Sequence, residues 1–151
     1  MKVKCKKIIA ERPNRKDLGE KTDDLTVNKE YIVLSVSLIM NSLIYYRIET
    51  DIGDLVLFEA DQFDVTSSYI PSSWEIKVEL NSDESYYLNL APEKWNHAPF
   101  SFYEEITEVS WPLYQWRDLD EIPEVVSLYF QERDLIYREQ EEYDKSMKGG
   151  K

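Results

Sequence analysis

The chain has one cysteine, one histidine and four glycines among its 151 residues. Because Cys5 is the only cysteine, no disulfide can form within the chain, which fits a reducing compartment. Because His97 is the only histidine, no pair of histidines can hold a metal ion. The longest apolar stretch, residues 31–40, is interrupted by two serines and is too short to cross a bilayer. The N-terminus also lacks the apolar run of a signal peptide, so we expect a cytoplasmic protein that does not contact a membrane.

Motifs that identify a reaction are absent as well. The sequence has no Gly-rich phosphate loop. The acids around Asp61 lack the alternate spacing, central glycine and distal glutamate of a calcium loop. A catalytic pair of Cys5 and His97 would have to form between distant parts of the chain. We therefore expect no enzymatic activity, no cofactor, no metal and no small-molecule substrate.

Negative charge is abundant but unevenly distributed. Residues 1–30 carry nine Lys and Arg against six Asp and Glu, a net charge of +3. Residues 31–151 carry nine against twenty-four, a net charge of -15. A body this acidic repels nucleic acid and anionic membranes, and it attracts basic proteins. The alternative interpretation is that the charge serves only solubility.

Hydrophobic spacing changes along the chain. The spacing of apolar residues in the first ninety residues predicts five to seven strands, with candidate segments at 3–9, 31–39, 43–50, 55–60, 63–66, 74–80 and 85–90. After Pro92, Ser101 and Glu104 form a capping box for a short helix over 101–107, and a longer helix with an apolar stripe follows Asp120. These patterns predict an α+β fold, with a small antiparallel β-barrel or strongly bent sheet over about residues 1–90, followed by C-terminal helices.

We expect one domain over residues 1–146 and a disordered tail over residues 147–151, which cloning could have added. The most regular alternation in the chain predicts which side chains of the 74–80 strand point into the core. The predicted core side chains are Trp74, Ile76, Val78 and Leu80, together with Val56 and Phe58.

Four aromatic residues lie beside the helix-forming sequence: Trp95, Trp111, Tyr114 and Trp116. Such a cluster can seal a small barrel against a helix, or it can anchor a partner protein. Trp116 is the best interface candidate among them, because the charged residues Arg117 and Asp118 follow it directly.

Several short motifs together are characteristic of a known group of proteins. They comprise Leu25, Thr26, Lys29 and Tyr31 at the start of a strand, Asp51 and Gly53 in a hairpin, Phe58 and Phe63, and Ile70, Pro71 and Trp74. With the segment LAPEKWNHAPFSFYEEI, which precedes an acidic helix, they cover about residues 25–108. This pattern resembles small bacterial proteins that open with a Src-homology-3-like barrel, although Asn28 stands where those proteins usually have glycine.

Proteins of this kind are commonly immunity proteins of polymorphic or contact-dependent growth inhibition toxin systems. The resemblance implies that the chain binds one basic, nuclease-type toxin domain and occludes its active site. The predicted contact residues are Glu49, Asp51, Asp54, Glu59, Asp61, Asp64 and Trp116. Two alternatives remain open at this point: an acidic nucleic-acid mimic or regulatory barrel that binds a cellular basic protein, and a small hydrolase with two converging carboxylates.

Overall fold

The computed structural model describes residues 1–39, 43–80, 86–109 and 112–149, and these residues contain seven strands. The strands are β1 (Lys2–Cys5), β2 (Glu30–Ile39), β3 (Leu43–Glu49), β4 (Leu55–Glu59), β5 (Phe63–Ser67), β6 (Trp74–Leu80) and β7 (Tyr86–Pro92). All pairings are antiparallel; the order is β4–β3–β2–β1–β5, and β7 pairs with both β2 and β6. The sheet is bent and does not close, so the predicted α+β class is confirmed in its bent-sheet form.

The helices follow the sheet: α1 (Glu93–Asn96), α2 (Phe102–Glu108) and α3 (Glu124–Gly149). Short 3₁₀ turns span Ala60–Gln62 and Leu113–Trp116. Ser101 lies at the N-terminus of α2, but its side chain makes no capping hydrogen bond, so the predicted capping box does not form. No described helix is both long and apolar enough to cross a membrane.

The C-terminal half of α3 is fastened to the start of the chain. Lys2 forms an ion pair of 2.7 Å with Asp144, and the N-terminal ammonium donates a hydrogen bond to Gln140 Oε1. Glu139 accepts hydrogen bonds from Tyr69 and Ser72. These contacts attach α3 to the rest of the protein at residues that lie past its apolar stripe. The helix therefore includes residues 147–149, which the sequence predicts as tail; residues 150 and 151 lie outside the described residues.

The prediction for the core face of β6 is wrong in part. Trp74 is buried, but Ile76, Val78 and Leu80 are 62%, 56% and 62% exposed, and Val56 and Phe58 are half-buried. Alternation along a strand shows that two faces differ, but it does not show which face another element covers. Helices α1 and α2 cover the opposite face of β6 and β7, so three of the four apolar side chains of β6 remain in solvent.

Polar side chains fill the space under α2. Arg47, 6% exposed, donates to Ser35 Oγ at 3.0 Å, and its guanidinium lies 4.2 Å from the ring centroid of Tyr103. Asn89 accepts a hydrogen bond from Ser37 and donates to the Tyr103 hydroxyl. The covered face of the central sheet is therefore partly polar, while rows of leucine, isoleucine and valine occupy the uncovered face.

Candidate partner-binding surface

Five of the six predicted contact acids form ion pairs within the chain. The pairs are Glu49–Arg133, Asp51–Lys29, Glu59–Arg12, Glu59–Arg15, Asp61–Arg15 and Asp64–Lys6. Apart from Arg133, every cation comes from residues 1–30, the segment with the net positive charge. The fold therefore places the basic N-terminal segment against acidic residues of the rest of the chain. Much of the negative charge of the β3–β4 hairpin is neutralised in this way. The prediction that these acids contact a partner stays a prediction.

Glu49 links β3 to α3. Arg133 donates to it through two nitrogens, Nε to Oε2 and Nη2 to Oε1, at 3.0 Å each. The hydroxyl of Tyr129 also donates to Glu49 Oε2. Burial, with the nearby Glu49 charge, raises the pKa of Tyr129 well above its ordinary value, so this hydroxyl remains a donor. These contacts give Glu49 a structural role between sheet and helix.

Acids without a cationic partner meet at the turn between β3 and β4. The Asp51 N–H donates to the carbonyl of Asp24 at 2.9 Å, which brings residues 23 and 24 beside residues 51–54. Burial raises the pKa of Asp24, and the charges of Asp23 and Asp51 raise it further. Burial and Asp24 likewise raise the pKa of Asp54. Within the described ranges, neither Asp24 nor Asp54 forms an ion pair, so here the fold places carboxylate beside carboxylate.

Asp51 fixes this turn. Its carboxylate accepts hydrogen bonds from Lys29 Nζ at 2.5 Å, Thr26 Oγ1 at 2.8 Å and the Tyr31 hydroxyl at 3.0 Å. Burial alone would raise the pKa of Asp51, but these three bonds outweigh it and hold the pKa below its ordinary value. Asp51 is therefore a charged anchor of the turn. Asp24 and Asp54 have no ion pair in the described part of the chain, although Asp54 Oδ1 accepts a hydrogen bond from the Leu55 N–H at 2.9 Å.

An exposed tyrosine lies against the same turn. Gly53 has φ of 83°, and a side chain there would come within 3.1 Å of Tyr114 Cδ1. The Leu113 N–H donates to the Gly53 carbonyl at 3.1 Å, which fixes the 3₁₀ turn on the hairpin. Tyr114 is 66% exposed. We call Asp23, Asp24, Asp51, Asp54 and Tyr114 the acidic turn surface.

The other aromatic residues divide between core and surface. Trp95 is 1% exposed and stacks on Phe102, with ring centroids 4.6 Å apart, so it belongs to the core. Trp116 is half-buried and packs against the core, so only part of this predicted contact residue can reach a partner. Trp111 lies outside the described residues.

Sequence reasoning missed Asp23 and Asp24 as members of this surface, and it named Tyr114 only within an aromatic cluster that could serve either core or interface. The only local signal is that no lysine or arginine lies between Lys21 and Lys29 to balance the two aspartates. The contact between residues 24 and 51 joins segments far apart in sequence, and no period or motif predicts it.

Comparison with known proteins adds no assignment: no family model, curated protein or solved structure matches this chain. In the described part of the chain, no group of three His, Cys, Asp or Glu side chains could hold a metal ion.

The raised pKa of Asp24 predicts a stability effect that depends on pH. In the folded chain this pKa lies above its unfolded value, so stability falls as pH rises through the folded pKa. Asp24→Asn removes that penalty and should raise the free energy of unfolding at pH 7 by up to about 0.5 kcal/mol, because solvent screens a partly exposed charge. The gain should shrink as pH falls through about 4, the unfolded pKa, because the carboxyl becomes protonated in both states. Urea titrations at pH 7 and pH 3.5 measure it; a loss of stability at pH 7 would contradict it.

Proposed function

We propose that this chain is a non-catalytic immunity protein that binds a basic toxin domain and blocks its active site through the acidic turn surface. The observation that carries the proposal is a pair of partly buried carboxylates, Asp24 and Asp54, with raised pKa and no ion pair among the described residues, beside the exposed ring of Tyr114. The sequence resemblance to bacterial immunity proteins supports the same function.

The geometry favours a cationic partner for two reasons. Two partly desolvated carboxylates close together repel each other, and a lysine or arginine from outside would remove that repulsion. Most other hairpin acids already have cations from the chain itself, so an incoming cation would gain less there. Tyr114 adds a ring whose body is apolar and whose hydroxyl is polar, the type of side chain that anchors protein interfaces.

A nuclease-type toxin domain fits this surface chemically. Its cleft must bind a phosphate backbone and is therefore lined with lysine and arginine. An acidic surface that occupies such a cleft competes with the nucleic acid for the same cations. The net charge of -12 on the immunity protein would also speed the encounter, with an effect that falls as salt rises.

The test uses the product of the gene immediately upstream, where the toxin partner of an immunity protein is normally encoded. Its binding to the full chain is measured at two salt concentrations for the wild type and for Asp24→Asn/Asp54→Asn. The double variant should weaken binding by about 2 kcal/mol or more, roughly thirtyfold in Kd, chiefly through faster dissociation. The same variant should be at least as stable as the wild type, which separates loss of contact from loss of fold.

The matched control is Glu142→Gln, a change of one exposed acid on the C-terminal half of α3. It should leave dissociation unchanged and alter association only slightly. Tyr114→Ala should weaken binding together with the two aspartates. If the double aspartate variant and Tyr114→Ala bind like the wild type, the acidic turn surface is not the interface, and the acidic segment 121–142 becomes the next surface to examine.

A further inference from the structure

The uncovered face of the sheet carries an apolar patch that ends at a free strand edge. In the sheet register, Ile44 pairs with Leu38, Leu38 with Leu88, and Leu88 with Val78, so one apolar row crosses β3, β2, β7 and β6. The exposed members of the patch are Leu38, Ile44, Ile76, Val78, Leu80 and Tyr86, at 39% to 62% exposure. Within the described parts of the chain, β6 pairs only with β7.

This patch is larger than a monomer of this size usually leaves in water. The six exposed side chains present on the order of 700 Å² of surface, which is above the usual largest patch of a monomer. Ile76 and Leu80 of β6 are the most exposed of the set, at 62% each, and they lie at the edge. A strand that pairs with β6 would shield the side chains of β6 from one side, whereas Leu38 and Ile44, on β2 and β3, would stay in water.

The backbone of β6 has groups available for such pairing. Asn96 Nδ2 donates to the carbonyls of Glu75 at 3.1 Å and Ala91 at 3.3 Å, two residues that pair across β6 and β7. Both carbonyls therefore lie in the gap between these strands. Because carbonyl direction alternates along a strand, those of Ile76, Val78 and Leu80 point away from β7, toward the free edge.

The sequence of β6, WEIKVEL, complements itself in one antiparallel register. Within one chain, Lys77 Nζ lies 2.8 Å from Glu79 Oε1 and donates to the Asn96 carbonyl at 2.7 Å. With a two-fold axis at Val78, Lys77 of each copy also lies opposite Glu79 of the other, so two opposite-charge pairs across the axis join the two pairs within the chains. Ile76 then lies opposite Leu80 of the other copy, and the two Val78 side chains meet. All of these apolar groups are on the uncovered face, so the apolar rows continue from one copy into the next.

Other registers are less favourable. An axis at Lys77 places lysine against lysine and Glu75 against Glu79, which is destabilising on both counts. An axis at Ile76 requires Trp74 to pair with Val78 of the other copy, although Trp74 is only 8% exposed and already packed. The charge pattern and the burial therefore select the axis at Val78.

We propose that two copies of this chain associate edge to edge through β6, antiparallel, about a two-fold axis at Val78. The contact is separate from the acidic turn surface and does not depend on any toxin partner. It joins two seven-stranded sheets into one and gives each copy of β6 a second neighbour. At physiological ionic strength, charges farther apart than about 8 Å are largely screened, which limits the repulsion between two acidic bodies.

Sedimentation velocity of the full chain over a range of concentrations tests the proposal. The wild type should show a monomer–dimer equilibrium. Lys77→Glu and Glu79→Lys should each weaken the dimer about tenfold, because each single change replaces both opposite-charge pairs by like-charge pairs. The double variant Lys77→Glu/Glu79→Lys restores both pairs with reversed sign, so its dimer should return to near wild-type strength.

A second pair of variants separates this edge from other surfaces. Val78→Lys should abolish the dimer, whereas Val65→Lys, at a valine 49% exposed on β5, should leave it intact. Urea denaturation confirms that every variant folds. A wild type that is monomeric at all concentrations overturns the proposal, as does a dimer that survives Val78→Lys. Single charge variants that weaken the dimer without rescue by the double variant overturn the axis at Val78.

Discussion

Glu49→Gln is expected to lower the free energy of unfolding by about 3 kcal/mol, the largest electrostatic effect that we expect in this chain. The change removes the carboxylate that receives two bonds from Arg133 and one from Tyr129. The Glu49 and Arg133 side chains are each 19% exposed, so water would only partly replace the lost partner. Of its ion pairs, the Arg133 guanidinium would keep only the one with Asp134 at 3.0 Å, and its partial desolvation without Glu49 is the physical cause of the loss.

A double-mutant cycle with Arg133→Met measures the coupling between the two side chains. Urea denaturation of the wild type, both single variants and the double variant gives the four free energies. The double variant should be more stable than additivity predicts, because it removes both charges together. If Glu49→Gln instead keeps full stability and weakens binding to a partner, Glu49 belongs to the interface, as the sequence suggested.

Trp95→Ala should lower the free energy of unfolding by about 4 kcal/mol, since a large buried ring is lost and a cavity remains. Trp95 stacks on Phe102 of α2 and on Tyr129 of α3, and its Nε1 donates to the Leu128 carbonyl at 3.1 Å. One side chain therefore joins all three helices. The loss of this ring should loosen the helical layer as a whole.

The matched control is Tyr114→Ala, which removes an aromatic ring that is 66% exposed. It should change the free energy of unfolding by about 0.5 kcal/mol or less. Thermal and urea denaturation of both variants measure the contrast. Equal losses for the two variants would mean that Tyr114 stabilises the fold, and its role in the acidic turn surface would then lose its basis.

The sequence predicts the strands and the change to helices well, because the information is local. Strands β2, β3, β4, β5 and β6 begin and end within about one residue of the alternating segments. The turn at Gly53, with its positive φ, follows from residue type. Asn28 also takes a positive φ, 73°, a conformation that asparagine tolerates better than most residues.

The face that the helices cover could not be predicted in this way. Along β2, Ser35 and Ser37 are fully buried while Leu38 is 39% exposed, the reverse of what hydrophobicity alone indicates. The reason is hydrogen bonding: Ser35 accepts a hydrogen bond from Arg47, and Ser37 donates one to Asn89. Both partners lie on neighbouring strands, so only the assembled sheet brings these groups together. Each local pattern is correct, but the choice between two faces is made by contacts distant in sequence.

The candidate surface shows the same limit for charge. The sequence shows many acids near the hairpin, but it does not show that Arg12, Arg15 and Lys29 return to pair with them. It also gives no reason to join Asp24 to residues 51–54. Counting charges along the chain identifies the acidic region. Which of its acids lack an ion pair depends on which lysines and arginines the fold places beside them.

The first thirty residues supply most of the cations that pair with the acids in and after the β3–β4 hairpin. The segment between β1 and β2 supplies Lys6, Arg12, Arg15 and Lys29, which form ion pairs with four carboxylates, those of Asp51, Glu59, Asp61 and Asp64. If the first thirty residues detached, they would leave residues 31–151 with a net charge of -15. The freed carboxylates would then repel one another, so partial release would favour complete release. The first thirty residues thus both add β1 to the sheet and neutralise part of the acidic surface, so their release would remove both contributions together.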